Sequence, residues 1–151
     1  PSGRVGLSCT EFAATHKIYC FGGAGNSGYS NQILEYDPAI DYLSVLPIPL
    51  PTPMEGANCR FSPALNKIFC VGGNNSGPLN TIIEFDPVAE TISTTTGVFS
   101  PPRQYDSCAM NSTGTQIFCF GGFAPSSDTF LNQITKFEIN TLITYQWIRL
   151  S

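Results

Sequence analysis

Short hydrophobic, β-branched and aromatic runs alternate along the chain with polar, glycine-rich and proline-rich segments. One run occurs three times, and it consists of Ile, an aromatic residue, Cys, one more hydrophobic residue and a pair of glycines. Its copies are residues 17–23, 67–73 and 116–122. Runs of this length and composition that end at glycine predict β-strands, and the close spacing of turn residues leaves no room for a helix. The pattern therefore predicts an all-β chain made of three repeats.

The pattern within each repeat predicts four strands. The first surrounds a leading cysteine, the second ends in the glycine pair, and the third runs from an asparagine to an aromatic residue. The fourth strand corresponds to Asp41–Leu46 in the first repeat, where Asp37 and Pro38 provide a turn signal before it. We assign a single domain to residues 1–151, with repeat units at 1–50, 51–99 and 100–151.

The cysteines follow the same repeat, with one pair in each unit and the same spacing of eleven positions. The pairs are Cys9 with Cys20, Cys59 with Cys70, and Cys108 with Cys119. Because the two members lie on successive strands joined by a short turn, they can face each other across an antiparallel ladder. We expect three disulfides. The alternative is that the cysteines are free and buried, whereas a zinc site is disfavoured by the wide spacing and by the single additional ligand, His16.

A period near 50 residues, four strands per unit, a glycine pair and an aromatic residue about a dozen positions later resemble the kelch repeat of β-propellers. The aromatic positions are Tyr36, Phe85 and Phe137. The Trp that normally follows in that family after six intervening residues is replaced by Leu43, Ile92 and Thr144. An arginine before the first strand is matched by Arg4 and Arg103. Hydrogen bonding between blades is the favoured role for these arginines, and a ligand role stays open.

The kelch resemblance implies three four-stranded blades, which do not close a ring, because propellers of this class have four to eight blades. We expect a homodimer in which two copies complete a six-bladed ring. The alternative is that these are three blades of a longer or nicked propeller whose remainder is another chain.

The charge and the cysteine content indicate in which compartment the protein resides and which classes of partner it can bind. The net charge of −4 and the pI near 4.7 provide no basic surface for nucleic acid. No apolar run approaches the roughly 20 residues of a membrane-spanning helix. Disulfides indicate an oxidising compartment, and two N-glycosylation sequons, at Asn74 and Asn111, fit a secreted protein. The first residue is Pro1, for which we expect a removed leader or a longer parent protein. The expected location is extracellular.

The sequence contains no recognisable catalytic constellation. His16 is the single histidine, and its position in a predicted turn favours a solvated side chain. Secreted copper-radical oxidases, which are similar to kelch propellers, need two histidines, two tyrosines and a cysteine outside the repeat pairs. This chain has one histidine and no cysteine outside the pairs, so that class of enzyme is disfavoured. The eleven Asp and Glu residues form no recognisable pair for glycoside hydrolysis. We expect no enzyme activity, no metal and no cofactor.

Binding in propellers uses the loops at the blade ends, because the strands are occupied in packing. The loops after the glycine pairs and before the first strands carry amides and carboxylates beside aromatic rings, which suit a sugar or a protein partner. The candidate ligand-binding residues are Asn26, Tyr29, Met54, Glu55, Asn75, Arg103, Tyr105, Asp106, Phe123 and Phe130.

We therefore predict a secreted, non-enzymatic recognition scaffold that binds carbohydrate, as a lectin does, or protein. The alternative is a part of a larger secreted propeller enzyme, an oxidase or a hydrolase, whose active residues lie on another chain or at the dimer seam. A purely structural role in a coat or matrix fits the low charge and the disulfides equally well.

Overall fold

A computed structural model describes residues 3–96, 98–99, 101–139 and 145–149. All the regular structure in these residues is β-strand, and no helix occurs among them. Three antiparallel sheets of four strands each are present, one from each repeat unit. The prediction of an all-β chain is therefore confirmed. The proposed unit boundaries at residues 1, 100 and 151 lie outside the described residues.

The three main sheets are simple meanders with two small hairpins added. Unit 1 contributes β1 (Ser8–Phe12), β2 (Lys17–Phe21), β3 (Ala24–Gly25), β4 (Gly28–Tyr29), β5 (Ile33–Asp37) and β6 (Tyr42–Val45). Unit 2 contributes β7 (Asn58–Ser62), β8 (Lys67–Val71), β9 (Thr81–Asp86) and β10 (Thr91–Thr96). Unit 3 contributes β11 (Ser107–Met110), β12 (Gln116–Phe120), β13 (Phe123–Ala124), β14 (Thr129–Phe130), β15 (Gln133–Glu138) and β16 (Tyr145–Arg149). The sheet orders are β1-β2-β5-β6, β7-β8-β9-β10 and β11-β12-β15-β16, and the hairpins are β3-β4 and β13-β14.

Each unit is closed by a disulfide between its first two strands. The bonded pairs are Cys9–Cys20, Cys59–Cys70 and Cys108–Cys119. The two cysteines of each pair stand directly opposite each other in the strand register. The expected pairing is confirmed, because the short turn between the strands fixes a register in which the two cysteine side chains share one face of the sheet.

Side chains alternate between two faces of each sheet, which we call the disulfide face and the aromatic face. The disulfide face carries the cysteine pair, and the aromatic face carries the residues next to the second cysteine. The aromatic-face residues are Tyr19 and Phe21 in unit 1, Phe69 and Val71 in unit 2, and Phe118 and Phe120 in unit 3. This alternation decides which surfaces the units bury against one another.

The same packing joins unit 1 to unit 2 and unit 2 to unit 3. Tyr19 and Phe21 of the first aromatic face lie against Phe85 on the second disulfide face, with ring centroids 5.6 and 5.7 Å apart. Phe69 and Val71 share the second core cluster with the Cys108–Cys119 pair of unit 3. The core therefore consists of two equivalent layers, each formed by an aromatic face and a disulfide face.

A hydrogen bond at the start of the first strand repeats with this packing. The Ser8 hydroxyl accepts from the Cys59 backbone N–H at 2.9 Å, and the Asn58 side-chain oxygen accepts from the Cys108 N–H at 3.2 Å. In both cases the acceptor precedes its own unit's first cysteine. Ser107 occupies that position in unit 3 and is exposed. Each unit thus presents a polar acceptor to the unit that follows it.

The two outermost faces of the three-unit stack are exposed in this chain. The disulfide face of unit 1 leaves Cys9, Leu43 and Val45 open to solvent. On the aromatic face of unit 3, Phe120 is 46% exposed, whereas its equivalents Phe21 and Val71 are buried. These two outer faces are of the same two kinds that pack together inside the chain.

Candidate functional site

All the candidate ligand-binding residues lie at one end of the sheets, which we call the hairpin end. The first strand of each unit begins there and the second strand ends there, because the two are antiparallel. The hairpin end comprises the described residues of 3–7, 22–32, 46–57, 72–80, 98–106 and 121–132. The two loop groups singled out from the sequence therefore form one surface. His16, with an exposed imidazole 2.8 Å from the Glu11 carboxylate, lies in a turn at the opposite end.

Backbone pairing holds the loops of the hairpin end in place. In each unit, a residue before the first strand pairs with a residue after the glycine pair. These bridges are Val5 with Ala24, Glu55 with Asn74, and Gln104 with Phe123. Neighbouring units are also joined, since the Gly56 N–H donates to the Gly6 carbonyl at 2.8 Å. Side chains on this surface are consequently displayed from an ordered backbone.

The hairpins β3-β4 and β13-β14 lie in segments that the sequence predicted only as variable loops. Strand β4 begins at Gly28, which has a φ of 97°, and the β13-β14 turn contains Asp128, which has a φ of 50°. In the second hairpin, Phe123 and Phe130 lie with their ring centroids 5.2 Å apart. Phe130 is 86% exposed and is the most exposed aromatic residue described.

Tyr105 has an unusual backbone conformation at the start of unit 3. Its φ is 61°, and the equivalent positions in units 1 and 2 are Gly6 and Gly56, with φ values of 68° and 63°. A bulky residue in the left-handed region is costly, by about 1 to 3 kcal/mol, and such outliers cluster at functional sites. The Tyr105 side chain is 80% exposed. The chain therefore tolerates a strained backbone while displaying this ring to solvent.

A cavity of about 180 Å³ lies beside Tyr105, where the three units meet. Its lining residues are Gly6, Glu55, Gly56, Gly73, Asn74, Gln104 and Tyr105. Glu55 and Tyr105 were among the sequence candidates, whereas Gln104 and the glycines were not. Aligning the residues three positions before each first cysteine would have identified the glycine-to-tyrosine change.

A second, more polar cavity of about 300 Å³ lies at the outer part of unit 1. Its lining residues are Arg4, Gly25, Ser27, Gly28, Tyr29, Ser30, Asn31 and Gln32. Tyr29 faces unit 2 as well, since its hydroxyl accepts from the Asn74 side-chain amide at 3.4 Å. Asn26 is exposed at the hairpin turn, and Asn75 is half-buried beside Asn74.

Two of the candidate ligand-binding residues have side chains that are buried in the protein and do not reach the surface. Met54 is buried in the first core cluster, and Arg103 is also fully buried. Arg103 donates to the Gly121 carbonyl at 3.0 Å, and its guanidinium lies 4.4 Å from the centre of the Phe99 ring. Arg4 donates in the same way to the Gly22 carbonyl at 3.3 Å. Both arginines thus donate to the glycine pair of their own unit, whereas Phe99, on which the Arg103 guanidinium packs, belongs to the preceding unit.

Asp106 is a largely buried carboxyl at the junction of units 2 and 3. Its side-chain oxygen accepts from the Asn58 amide at 3.4 Å, and its backbone carbonyl accepts from the same amide at 3.2 Å. Burial raises the pKa of Asp106 to about 6, while the nearby Arg103 acts in the opposite direction. The Cys108 and Cys119 sulfurs lie close to this carboxylate, but they are bonded to each other and offer no thiolate to a metal.

Replacing Asp106 with asparagine is expected to stabilise the protein at pH 7. Because the folded carboxyl has a pKa above the ordinary 3.8, the free energy of unfolding falls as the pH rises from about 4 to about 6. Asparagine keeps an acceptor for Asn58 without the charge. We expect a gain of about 1 to 2 kcal/mol at pH 7 and little difference at pH 4, measured by urea unfolding. An equal or lower stability of D106N at pH 7 would contradict this account.

The two sequons lie at opposite ends of the sheets. Asn111 is in the first turn of unit 3, where its side-chain oxygen accepts from the backbone N–H groups of Thr115 and Gln116, at 2.9 and 3.0 Å. Asn74 is at the hairpin end, where its side-chain oxygen accepts from the Gly77 N–H at 2.9 Å. A glycan on Asn111 would point away from the candidate binding surface, whereas one on Asn74 would stand beside it.

No protein-family model and no curated protein sequence matches the chain. Its fold is similar to the solved structure of YjhT, with a TM-score of 0.79 and 15% sequence identity. The match covers 98% of this chain and 52% of YjhT, so the chain spans about half the length of that structure. At this identity the similarity concerns the fold alone. It supports a propeller-like arrangement of the three sheets.

Among the described residues, no helix has the length and apolar character needed to cross a bilayer.

Proposed function

We propose that this chain is a kelch-type extracellular recognition module that binds carbohydrate or protein through its hairpin end and has no catalytic activity of its own. The observation that carries the proposal is the display of Tyr105 and Phe130, 80% and 86% exposed, on a surface whose backbone is held by hydrogen bonds. Exposed rings on an ordered backbone lose little entropy on binding, and the neighbouring amides can bond to hydroxyl or peptide groups.

An extracellular location is supported by the three disulfides. Each closes a loop between residues eleven positions apart, and bonds of this kind persist in oxidising compartments. The same bridges stiffen the strands that begin at the hairpin end. Rigidity at this end is an advantage for a binding surface, since less ordering is required when a partner arrives.

A second candidate function is a contribution to a larger secreted enzyme. Asp106 favours it, because a carboxyl with a pKa of about 6 is suited to exchange protons near neutral pH. The remaining active residues would come from another chain or from across a dimer seam. The recognition function is preferred, because the Asp106 side chain accepts a hydrogen bond from Asn58 and is largely buried.

Binding is expected to depend on the hairpin end and not on the opposite end. We expect the oxidised protein to bind saturably to members of a glycan array or to an extracellular protein array. The double variant Y105S/F130S should weaken this binding at least tenfold, because each stacked ring is worth about 1 kcal/mol or more. The matched control is I40S/V88S, which removes two similarly exposed apolar side chains from turns at the opposite end. Absence of binding to both arrays, or equal losses in the two variants, would refute the proposal.

We further propose that two copies of the chain close a six-bladed ring through their outer faces. The support is the contact that is repeated inside the chain, in which an aromatic face covers the disulfide face of the next unit. In the same contact, a polar side chain accepts a hydrogen bond from the backbone N–H of the first cysteine of that next unit. The aromatic face of unit 3 and the disulfide face of unit 1 are the two halves of that same contact. A second copy would supply each half with its missing partner.

A further inference from the structure

We propose that the cavity beside Tyr105 is the seat for one sugar ring that is neutral or positively charged, with acidic sugars excluded. This inference rests on the proposed recognition function and specifies where the ligand sits and what its charge is. The cavity lies where units 1, 2 and 3 meet. Its wall comes from the loops that precede the three first strands and from Gly73 and Asn74, which follow the second strand of unit 2.

The lining supplies the groups that a sugar requires. Tyr105 offers an exposed ring for stacking against the apolar face of a pyranose, as aromatic residues do in many binding sites. Glu55, Asn74 and Gln104 offer side-chain acceptors and donors for hydroxyl groups. At about 180 Å³ the cavity is smaller than typical sites for drug-sized ligands, which span roughly 300 to 1,000 Å³. A single ring fits this space, and any further residues of a glycan would lie in solvent.

The backbone at Tyr105 indicates that the ring has a purpose beyond folding. Units 1 and 2 adopt the same left-handed conformation with Gly6 and Gly56. Glycine is therefore sufficient for the turn, and tyrosine adds strain there. Because the Tyr105 side chain is 80% exposed, its packing does not compensate for that strain. A ligand that stacks on the ring provides a reason for its presence.

The charge of the lining selects against acidic ligands. Glu55 is the one ionisable acidic side chain in the lining, and no lysine or arginine lines the cavity. Arg103 is close in sequence to Tyr105, but it is fully buried and bonded to the Gly121 carbonyl. A carboxylate-bearing sugar would face Glu55 without a compensating cation, whereas an amino sugar would be attracted to it.

The test measures binding of methyl glycosides to the oxidised protein by NMR titration. The probes are the methyl glycosides of glucose, galactose, mannose, N-acetylglucosamine, glucosamine and glucuronic acid. We expect at least one neutral or amine-bearing probe to bind, with the largest shifts at Tyr105, Gln104 and Asn74, and no binding of the glucuronide. E55Q should weaken any glucosamine binding at least threefold. Preferential binding of the glucuronide would overturn the charge assignment.

The decisive variant is Y105G, which restores the residue found in units 1 and 2. We expect its melting temperature to equal or exceed that of the parent protein, while probe binding falls at least tenfold; Y105F should retain most of the binding. F130A tests the other exposed ring of the hairpin end, and V88S, in a turn at the opposite end, is the control that should leave probe binding unchanged. If F130A abolishes binding and Y105G does not, this seat is refuted but the recognition function stands. If no glycan binds in the titration or on the array, the carbohydrate form of both proposals fails.

Discussion

In a single copy of the chain, removal of the unit 2 disulfide is expected to destabilise the protein far more than removal of the unit 1 disulfide. The chain-entropy contribution should be the same, about 3 kcal/mol for each, because both bridges join residues eleven positions apart. The difference arises from packing. Cys59 and Cys70 are buried in the first core cluster, whereas Cys9 is exposed on the outer face of unit 1. Truncation of the buried pair leaves a cavity that should cost roughly 2 kcal/mol more.

The comparison requires the double variants C59A/C70A and C9A/C20A, measured by urea unfolding beside the parent protein at a concentration dilute enough to keep each chain a single copy. Both substitutions remove the same atoms, so each variant is a control for the other. We expect the midpoint of C59A/C70A to fall clearly below that of C9A/C20A. Equal midpoints at that dilution would contradict this account, because no second copy would then cover the outer face of unit 1.

The strands and the disulfides could be predicted from the sequence because both depend on local spacing. Two cysteines eleven positions apart, on strands joined by a short turn, restrict the register of the two strands, and that register also decides which side chains share a face. The repeat then places Phe69 and Phe118 on the same face as Tyr19. The alternation defines the two faces of each sheet, whereas the structure shows which of these faces pack together.

The burial of Met54 and Arg103 could not be predicted from the same spacing. Both lie in segments rich in turn residues, which usually run over the surface. Here the segment before the first strand folds back onto a glycine pair, so that the Gly23 N–H donates to the Met54 carbonyl at 2.8 Å. That contact joins residues far apart in the sequence. Only the assembled sheets show that such contacts leave the Met54 and Arg103 side chains buried.

The ligand-facing surface was predicted in part, because exposed rings are visible in the sequence but their backbone conformation is not. Tyr105 and Phe130 were singled out as aromatic loop residues, and both are exposed. The left-handed conformation of Tyr105 is apparent only when it is compared with Gly6 and Gly56. The cavity beside it needs three units in position, so no single repeat contains the information that defines it.

Substitution of Phe120 with aspartate is expected to abolish the association of two copies. Phe120 belongs to the exposed aromatic face of unit 3, and its equivalents Phe21 and Val71 are buried against the next unit. A buried, unpaired carboxylate at such a contact costs several kcal/mol, enough to lower the affinity by a factor of at least one hundred. We expect native mass spectrometry to show twice the 16.3 kDa chain mass for the parent protein and a single chain for F120D.

Two further variants make this expectation specific to the proposed contact. S107A should weaken the dimer modestly, because Ser107 would accept from the Cys9 N–H of the second copy, as Ser8 does from Cys59 within the chain. V88D places the same charge on a side chain that is 72% exposed in a turn at the opposite end, and it should leave the native mass unchanged. A parent protein that stays a single chain at high concentration would exclude closure by a second copy. The two outer faces would then require blades from elsewhere, since Leu43, Val45 and Phe120 expose the same kinds of apolar side chains that the internal contacts bury.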